Sequence, residues 1–213
     1  MQLYTYWRSS AAYRVRIALQ LKRLPASQLP VSLRAGEQRA ATYLARNPQG
    51  LVPALDVGAA VLTQSLAIIE YLEEVQPQPA LLPRDPVARA QVRAMAQLLA
   101  CDIHPLNNLR VLRYLKSQLA QPQEAIDAWA RHWIGAGFAA LEAQAVRHTA
   151  DGHCLYGNAV TLADVCLVPQ LYNARRFDCE LGAYPTLVRI GAALEARPEF
   201  QAAAPERQSD AVA

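Results

Sequence analysis

Ser9 and Ser10 stand side by side after the basic residue Arg8 and before a segment with helical spacing. Serine at a helix start has two roles. Its oxygen accepts a hydrogen bond from a free backbone N–H of the first turn, or, together with those N–H groups and the helix dipole, it holds an anion such as a thiolate. Gln64-Ser65 repeats the arrangement ahead of residues 66–73, and there too the plain cap and the anion site stand as alternatives. Between the two lies Val52-Pro53. Proline has no N–H to give to a sheet ladder, so this pair marks an exposed edge or a bend, and an edge pairs with an extended peptide by strand addition. A cis bond at Pro53 turns the Val52 groups outward; a trans proline at a strand start is the ordinary alternative.

The remaining reactive side chains are weighed in the same way. Only Lys22 and Lys116 are lysines among the 21 basic residues, which leaves 19 arginines. Arginine grips a carboxylate through two parallel hydrogen bonds and suits a dicarboxylate ligand, but an alanine- and arginine-rich chain also arises from coding bias, so only arginines near a site count. A net charge of +3 with scattered basic residues argues against nucleic acid as a partner. Cys101, Cys154, Cys166 and Cys179 are irregularly spaced with no C-x-x-C pair, and are read as free thiols. His148, Asp151 and His153 match no metal-ligand spacing, so no metal is expected. Trp129, Trp133 and Phe138 read as core. Thr161-Leu162-Ala163-Asp164 has the form of a capping box, and Arg175 and Arg176 suit the C-terminal end of the helix it starts.

The elements that must position these residues follow from periodicity. Residues 2–7 are β-prone, and Val15, Ala18, Leu19 and Lys22 keep a helical rhythm. Residues 28–33 form a strand, 39–46 a short helix closed by Asn47-Pro48, 51–57 and 60–62 a hairpin turning at Gly58, and 65–73 a helix. The order βαβαββα is that of a thioredoxin-like domain. Pro77, Pro79, Pro83 and Pro86 mark a linker. Helical patterns then cover 87–119, 124–147, 162–177 and 186–196, and a polar tail frays from Ala202. The fold class is therefore α/β plus all-α, with a thioredoxin-like domain over 1–82 and a helical bundle over 87–213. Pro105 kinks the first long helix; His104 and Asn108 share one of its faces, Asn107 and Arg110 another, and a solvated face is the alternative reading. Without an eighteen-residue apolar run or a charged-then-apolar N-terminus, a soluble cytoplasmic protein is expected.

Residues 9–19, Ser-Ser-Ala-Ala-Tyr-Arg-Val-Arg-Ile-Ala-Leu, resemble the opening of the zeta class of glutathione transferases, which includes maleylacetoacetate and maleylpyruvate isomerases. The resemblance continues through residues 47–55 (Asn-Pro-Gln-Gly-Leu-Val-Pro-Ala-Leu), 64–73, 102–108 (Asp-Ile-His-Pro-Leu-Asn-Asn) and 161–164, almost end to end. In one respect the chain departs. Many zeta members read Ser-Ser-Cys at the opening turn, where Ala11 stands here, so any role of that cysteine is absent.

The resemblance implies the glutathione transferase architecture, a homodimer, and glutathione as cofactor. It implies a cis–trans isomerase of aromatic catabolism acting on a maleyl dicarboxylate, maleylacetoacetate foremost and maleylpyruvate alternatively; a general glutathione transferase or glutathione-binding protein is the other class. Among site residues it implies Ser9, Ser10 and Arg8 as catalytic, and Gln49, Val52, Pro53, Gln64, Ser65, His104 and Asn108 as binding glutathione. Arg8, Asn107, Arg110 and Arg176 would hold the substrate's carboxylates, which requires the two domains to pack with a cleft between them.

Overall fold

The computed structural model describes residues 1–211, and the chain divides into two units, Met1–Ala80 with Ala196–Ala213, and Leu81–Glu195. The first unit opens on β1 (Gln2–Thr5), which runs parallel to β2 (Ser27–Pro30) and antiparallel to β3 (Ala54–Asp56); β4 (Val61–Thr63) completes a sheet of order β2-β1-β3-β4. Leu3 faces Leu55 in the ladder, and both are fully buried. The connections are α1 (Ser10–Lys22), α2 (Ala41–Leu44) and, after β4, α3 (Ser65–Val75), so the order is the predicted βαβαββα.

Two local expectations change. The first strand ends at Thr5, two residues early, because the Ser9 N–H bonds the Tyr6 carbonyl (3.0 Å) and turns residues 6–9 toward α1. Pro53 does not lie on an edge strand: β3 is paired on both sides, and Val52-Pro53 form the bend ahead of it, where a missing N–H costs the ladder nothing. The Val52-Pro53 peptide bond is cis.

Nearly all of α1 is buried, including Arg14, Arg16 and Lys22. A buried cation must find acceptors. Lys22 pairs with Glu73 of α3 and donates to the carbonyls of Gln76 (2.8 Å) and Pro79 (2.6 Å), tying the two helices together.

The second unit is helical: α4 (Pro86–Gln97), α5 (Leu109–Ser117), α6 (Gln123–His148), α7 (Leu162–Arg176) and α8 (Pro185–Glu195). The expected kink at Pro105 is a full break. After α4 the chain widens into a π-helical turn over Leu98–Ile103, tightens into a 3-10 turn over His104–Asn107, and is extended at Asn108 (φ −71°, ψ 147°). Pro105 cannot donate to the carbonyl four residues back, which frees the backbone to change pitch there. Consequently the helical spacing that put Asn107 and Arg110 on one face, and His104 and Asn108 on another, does not run through Asn108. Phe138 is fully buried, while Trp129 and Trp133 are half-buried and meet edge to face at 5.7 Å.

Thr161 and Asp164 form the predicted capping box at the head of α7. The carboxylate is fully buried; Oδ2 accepts from the Thr161 N–H (2.7 Å) and hydroxyl (2.8 Å), and Oδ1 from the Leu155 N–H (2.7 Å).

The last segment contains α9 (Pro198–Ala203) and packs with the first unit; through residue 211 it is not frayed, since Phe200 and Ala203 are buried and the Arg16 Nε donates to the Ala203 carbonyl (3.0 Å), while the last two residues of the expected tail lie outside the described residues. A polar tail looks soluble in sequence, yet a buried guanidinium needs carbonyl partners, and here the tail supplies one.

Burial pushes the Asp164 carboxyl up to about 6 from 3.8, against the hydrogen bonds that favour its charge. The folded state thus holds this proton more tightly than the unfolded chain, so the group's stabilising contribution is full below pH 4 and is lost as pH rises through 6. Denaturant unfolding of the protein and of Asp164→Asn at pH 4 and pH 7 is expected to show the gap between them narrowing at pH 7 by on the order of 3 kcal/mol. A gap independent of pH would mean that Asp164 does not titrate in this way.

Candidate active site

The site of the first unit is built on the turn at residues 6–9. Ser9, extended at φ −73°, is the N-cap of α1, and its Oγ accepts from the Ala12 N–H at 3.2 Å. A hydroxyl has two acceptor sites and one proton, so capping leaves the proton to be donated elsewhere. The two sequence readings of Ser9, cap and anion donor, are therefore compatible. Ser10 is buried as the first residue of the helix. Arg8 is half-buried, its guanidinium 5.2 Å from the Trp7 ring centroid.

The loop leading to Val52 is organised by Asn47, a residue with no role in the sequence reading beyond closing a helix. Asn47 is buried; its Nδ2 donates to the Leu51 carbonyl (2.7 Å) and its Oδ1 accepts from the Gln49 N–H (3.1 Å). The Tyr43 hydroxyl reaches the same Leu51 carbonyl (2.6 Å), and burial pushes that phenol up to about 12. Gly50 is left-handed (φ 61°), and a Cβ there would stand 3.0 Å from the Gln38 carbonyl oxygen.

Gln49 also meets the second helix start, accepting from Gln64 Nε2 at 2.8 Å. Gln64 has φ 67°, a conformation that costs a non-glycine residue on the order of 1 kcal/mol or more and recurs at functional sites. Ser65 is buried and its Oγ accepts from Arg14 Nη1 (3.3 Å), again sparing its own proton. Arg14, also missed by sequence reasoning, sets a buried positive charge behind the α3 N-terminus, where the helix dipole already favours an anion. Its only sequence signal is a charged residue set among apolar ones in the α1 run, a signal that Arg16 shares.

In the second unit the expected residues fall differently. Asn107 is buried, with neither amide atom hydrogen-bonded among the described residues. Such an orphan invites a water or a ligand group. Asn108 caps α5, its Oδ1 accepting from the Arg110 N–H (3.1 Å), and Arg110 is exposed. His104 opens the 3-10 turn, half-buried. Arg176 ends α7, exposed, over the Phe177 ring at 5.8 Å. Among the described residues no cysteine is in a disulfide, and burial raises the Cys179 thiol above its ordinary range. Among the described residues no group of three or more His, Cys, Asp or Glu is placed to hold a metal, and no helix is long and apolar enough to cross a membrane.

Known proteins share this sequence and fold. Residues 3–80 match the family profile described as Glutathione S-transferase, N-terminal domain. The chain is 53% identical over 211 residues to a probable maleylacetoacetate isomerase of Vibrio cholerae, covering 98% of this chain and 97% of that one. It superposes with a TM-score of 0.97, at 48% identity and full coverage of both chains, on a holo structure of maleyl pyruvate isomerase, a bacterial glutathione transferase of the zeta class. A maleylacetoacetate isomerase from Anaeromyxobacter dehalogenans, solved with dicarboxyethyl glutathione and citrate in its active site, matches with a TM-score of 0.88 at 45% identity, over 100% of this chain and 97% of that one.

Asn47→Ala removes one of the two donors to the Leu51 carbonyl, which keeps the Tyr43 hydroxyl, and takes the acceptor from the Gln49 N–H. A loss of about 1 to 3 kcal/mol in urea unfolding is expected. A loss below about 0.5 kcal/mol, the range of ordinary surface changes, would show that the loop holds its shape without this side chain.

Proposed function

The chain belongs to the zeta class of glutathione transferases, the family of the maleylacetoacetate and maleylpyruvate isomerases, and on that footing we propose that it is a glutathione-dependent cis–trans isomerase converting a maleyl dicarboxylate, maleylacetoacetate first, to its fumaryl isomer. The observation that carries the reading is the Ser9 turn: a capping hydroxyl with its proton in reserve, at the head of a helix of 13 residues. The donors of the first unit fit glutathione. Ser65 and the α3 N-terminus, backed by Arg14, suit a carboxylate, and the Val52-Pro53 bend lies outside the ladder, where a tripeptide backbone can pair.

When bound, glutathione supplies a thiolate that adds to the conjugated alkene, makes the double bond single so that it rotates, and leaves to give the trans product. In this proposal Ser9 donates its proton to the sulfur, and the first-turn N–H groups around Ser10 add positive potential. Gln49, Val52, Pro53, Gln64 and Ser65 orient the tripeptide; His104 and Asn108 complete that set. Arg8, Asn107, Arg110 and Arg176 hold the substrate's carboxylates, where fixed guanidinium charge favours the electron-rich transition state over the ground state. The Anaeromyxobacter dehalogenans structure holds dicarboxyethyl glutathione in its active site, which supports a site of this kind taking glutathione together with a dicarboxylate group.

Maleylpyruvate is the second reading, favoured by the 0.97 TM-score to the maleyl pyruvate isomerase. The proposal further takes residues 1–82 as the glutathione-binding domain and 87–213 as the substrate-binding domain, except that the segment from Ala196 packs with the first unit and serves that one, in a homodimeric cytoplasmic enzyme.

Purified protein given excess maleylacetoacetate or maleylpyruvate and a trace of glutathione is expected to convert many substrate molecules per glutathione, and the faster substrate names the physiological one. Consumption of glutathione one for one would instead mark a conjugating transferase. In Ser9→Ala the thiol of bound glutathione, followed by thiolate absorbance, is expected to titrate about one unit higher. An unchanged titration would remove Ser9 and leave Ser10 or a backbone N–H as the donor.

A further inference from the structure

The turn at residues 6–9 closes with the Ser9 N–H on the Tyr6 carbonyl, an arrangement that leaves the N–H of its second residue, Trp7, facing outward without a partner inside the turn. That N–H donates to the Asp210 carboxylate, Oδ2, at 2.9 Å across 203 residues of chain. On its other side the Trp7 carbonyl accepts from Arg16 Nη2 (2.8 Å), and the same guanidinium holds Ala203 in the tail. Gln208 keeps the tail in place: it is buried, and its Nε2 donates to the carbonyls of Ala202 (3.2 Å) and Ala204 (2.8 Å). Beyond it the Ala211 N–H bonds the Gln208 carbonyl (3.0 Å), and Ala211 packs against the cluster of Tyr4, Tyr6, Trp7, Tyr43 and Val52.

From this we infer that Asp210 is a positioning residue for the thiol site: by holding the Trp7 N–H it locks the turn that aims Arg8 and the Ser9 hydroxyl. The aim at a thiol rests on the isomerase reading, whereas the lock on the turn does not. The two effects of the carboxylate oppose each other. As a nearby negative charge it disfavours a thiolate, and as a hydrogen-bond acceptor that orders the Ser9 donor it favours one, so the sign of a thiol shift tells which effect governs. Asparagine keeps an acceptor oxygen and loses the charge, and therefore separates them.

The test compares Asp210→Ala and Asp210→Asn in the full chain, well below the melting temperature. In Asp210→Ala the Trp7 amide is expected to exchange with deuterium about tenfold faster, the bound thiol to titrate higher, and kcat to fall about tenfold with the KM for glutathione little changed, as for loss of one charge-assisted hydrogen bond. Asp210→Asn is expected to recover most of each change. Unchanged Trp7 exchange in Asp210→Ala overturns the proposal, as does a thiol that titrates lower, or an Asp210→Asn no better than Asp210→Ala. If the unaltered protein binds no glutathione, the isomerase reading fails, while the exchange measurement still decides whether Asp210 holds the turn.

Discussion

A guanidinium with almost no access to water, that of Arg16, constrains the first unit more than any other group. Burying an unpaired cation costs several kcal/mol, so the fold must bring acceptors to it. It does so with the Thr5 hydroxyl (3.1 Å), the carbonyls of Tyr6 (3.4 Å) and Trp7 (2.8 Å), and the Ala203 carbonyl (3.0 Å). Three of these come from the end of β1 and the turn after it, which cannot converge on one side chain unless the chain bends there. The fourth comes from the C-terminal segment. One buried charge thus shapes the turn that carries Arg8 and Ser9 and recruits the end of the chain to the N-terminal unit.

The same logic recurs around α1. Lys22 joins its far end to Glu73 and the carbonyls that follow α3, and Arg14 joins its middle to Ser65. The helix starts at residues 9–10 and 64–65 are therefore held by cations on one rigid element, and loops alone would not fix donors that well. In the helical unit the buried Asp164 side chain does comparable work: its two oxygens gather two N–H groups and a hydroxyl at the head of α7, while burial makes its charged form costly.

Much of this is legible in the order of residues. The βαβαββα succession, the helical second half, the capping box at Thr161 and Asp164 and the two serines at helix starts all follow from short-range patterns, because hydrophobic period, capping and proline stereochemistry act within a few residues. The family resemblance carries the glutathione chemistry and the arginines assigned to it. For Ser9 the residue order leaves two roles open, since a hydroxyl's spare proton becomes evident only once its acceptor is seen to be occupied.

Tertiary structure alone decided the rest. Pro105 signals a disturbance, but its form, a π-helical turn followed by a 3-10 turn and an extended Asn108, depends on packing, and it separates residues that helical spacing joins. Pro53 is consistent with an edge or a bend, and the pairing of β3 on both sides chooses the bend. Asn47, Arg14 and Arg16 acquire roles because burial obliges polar groups to find partners, and those partners lie as far away as Ala203. The tail shows the limit most plainly: polar and rich in alanine, it carries no local sign of order, yet Asp210 meets the Trp7 N–H from the opposite end of the chain. The sequence by itself determined the elements and where helices could begin. Which distant groups would close the hydrogen bonds left open there was set by the fold, because a hydrogen bond is satisfied by position in space and not by position in the chain.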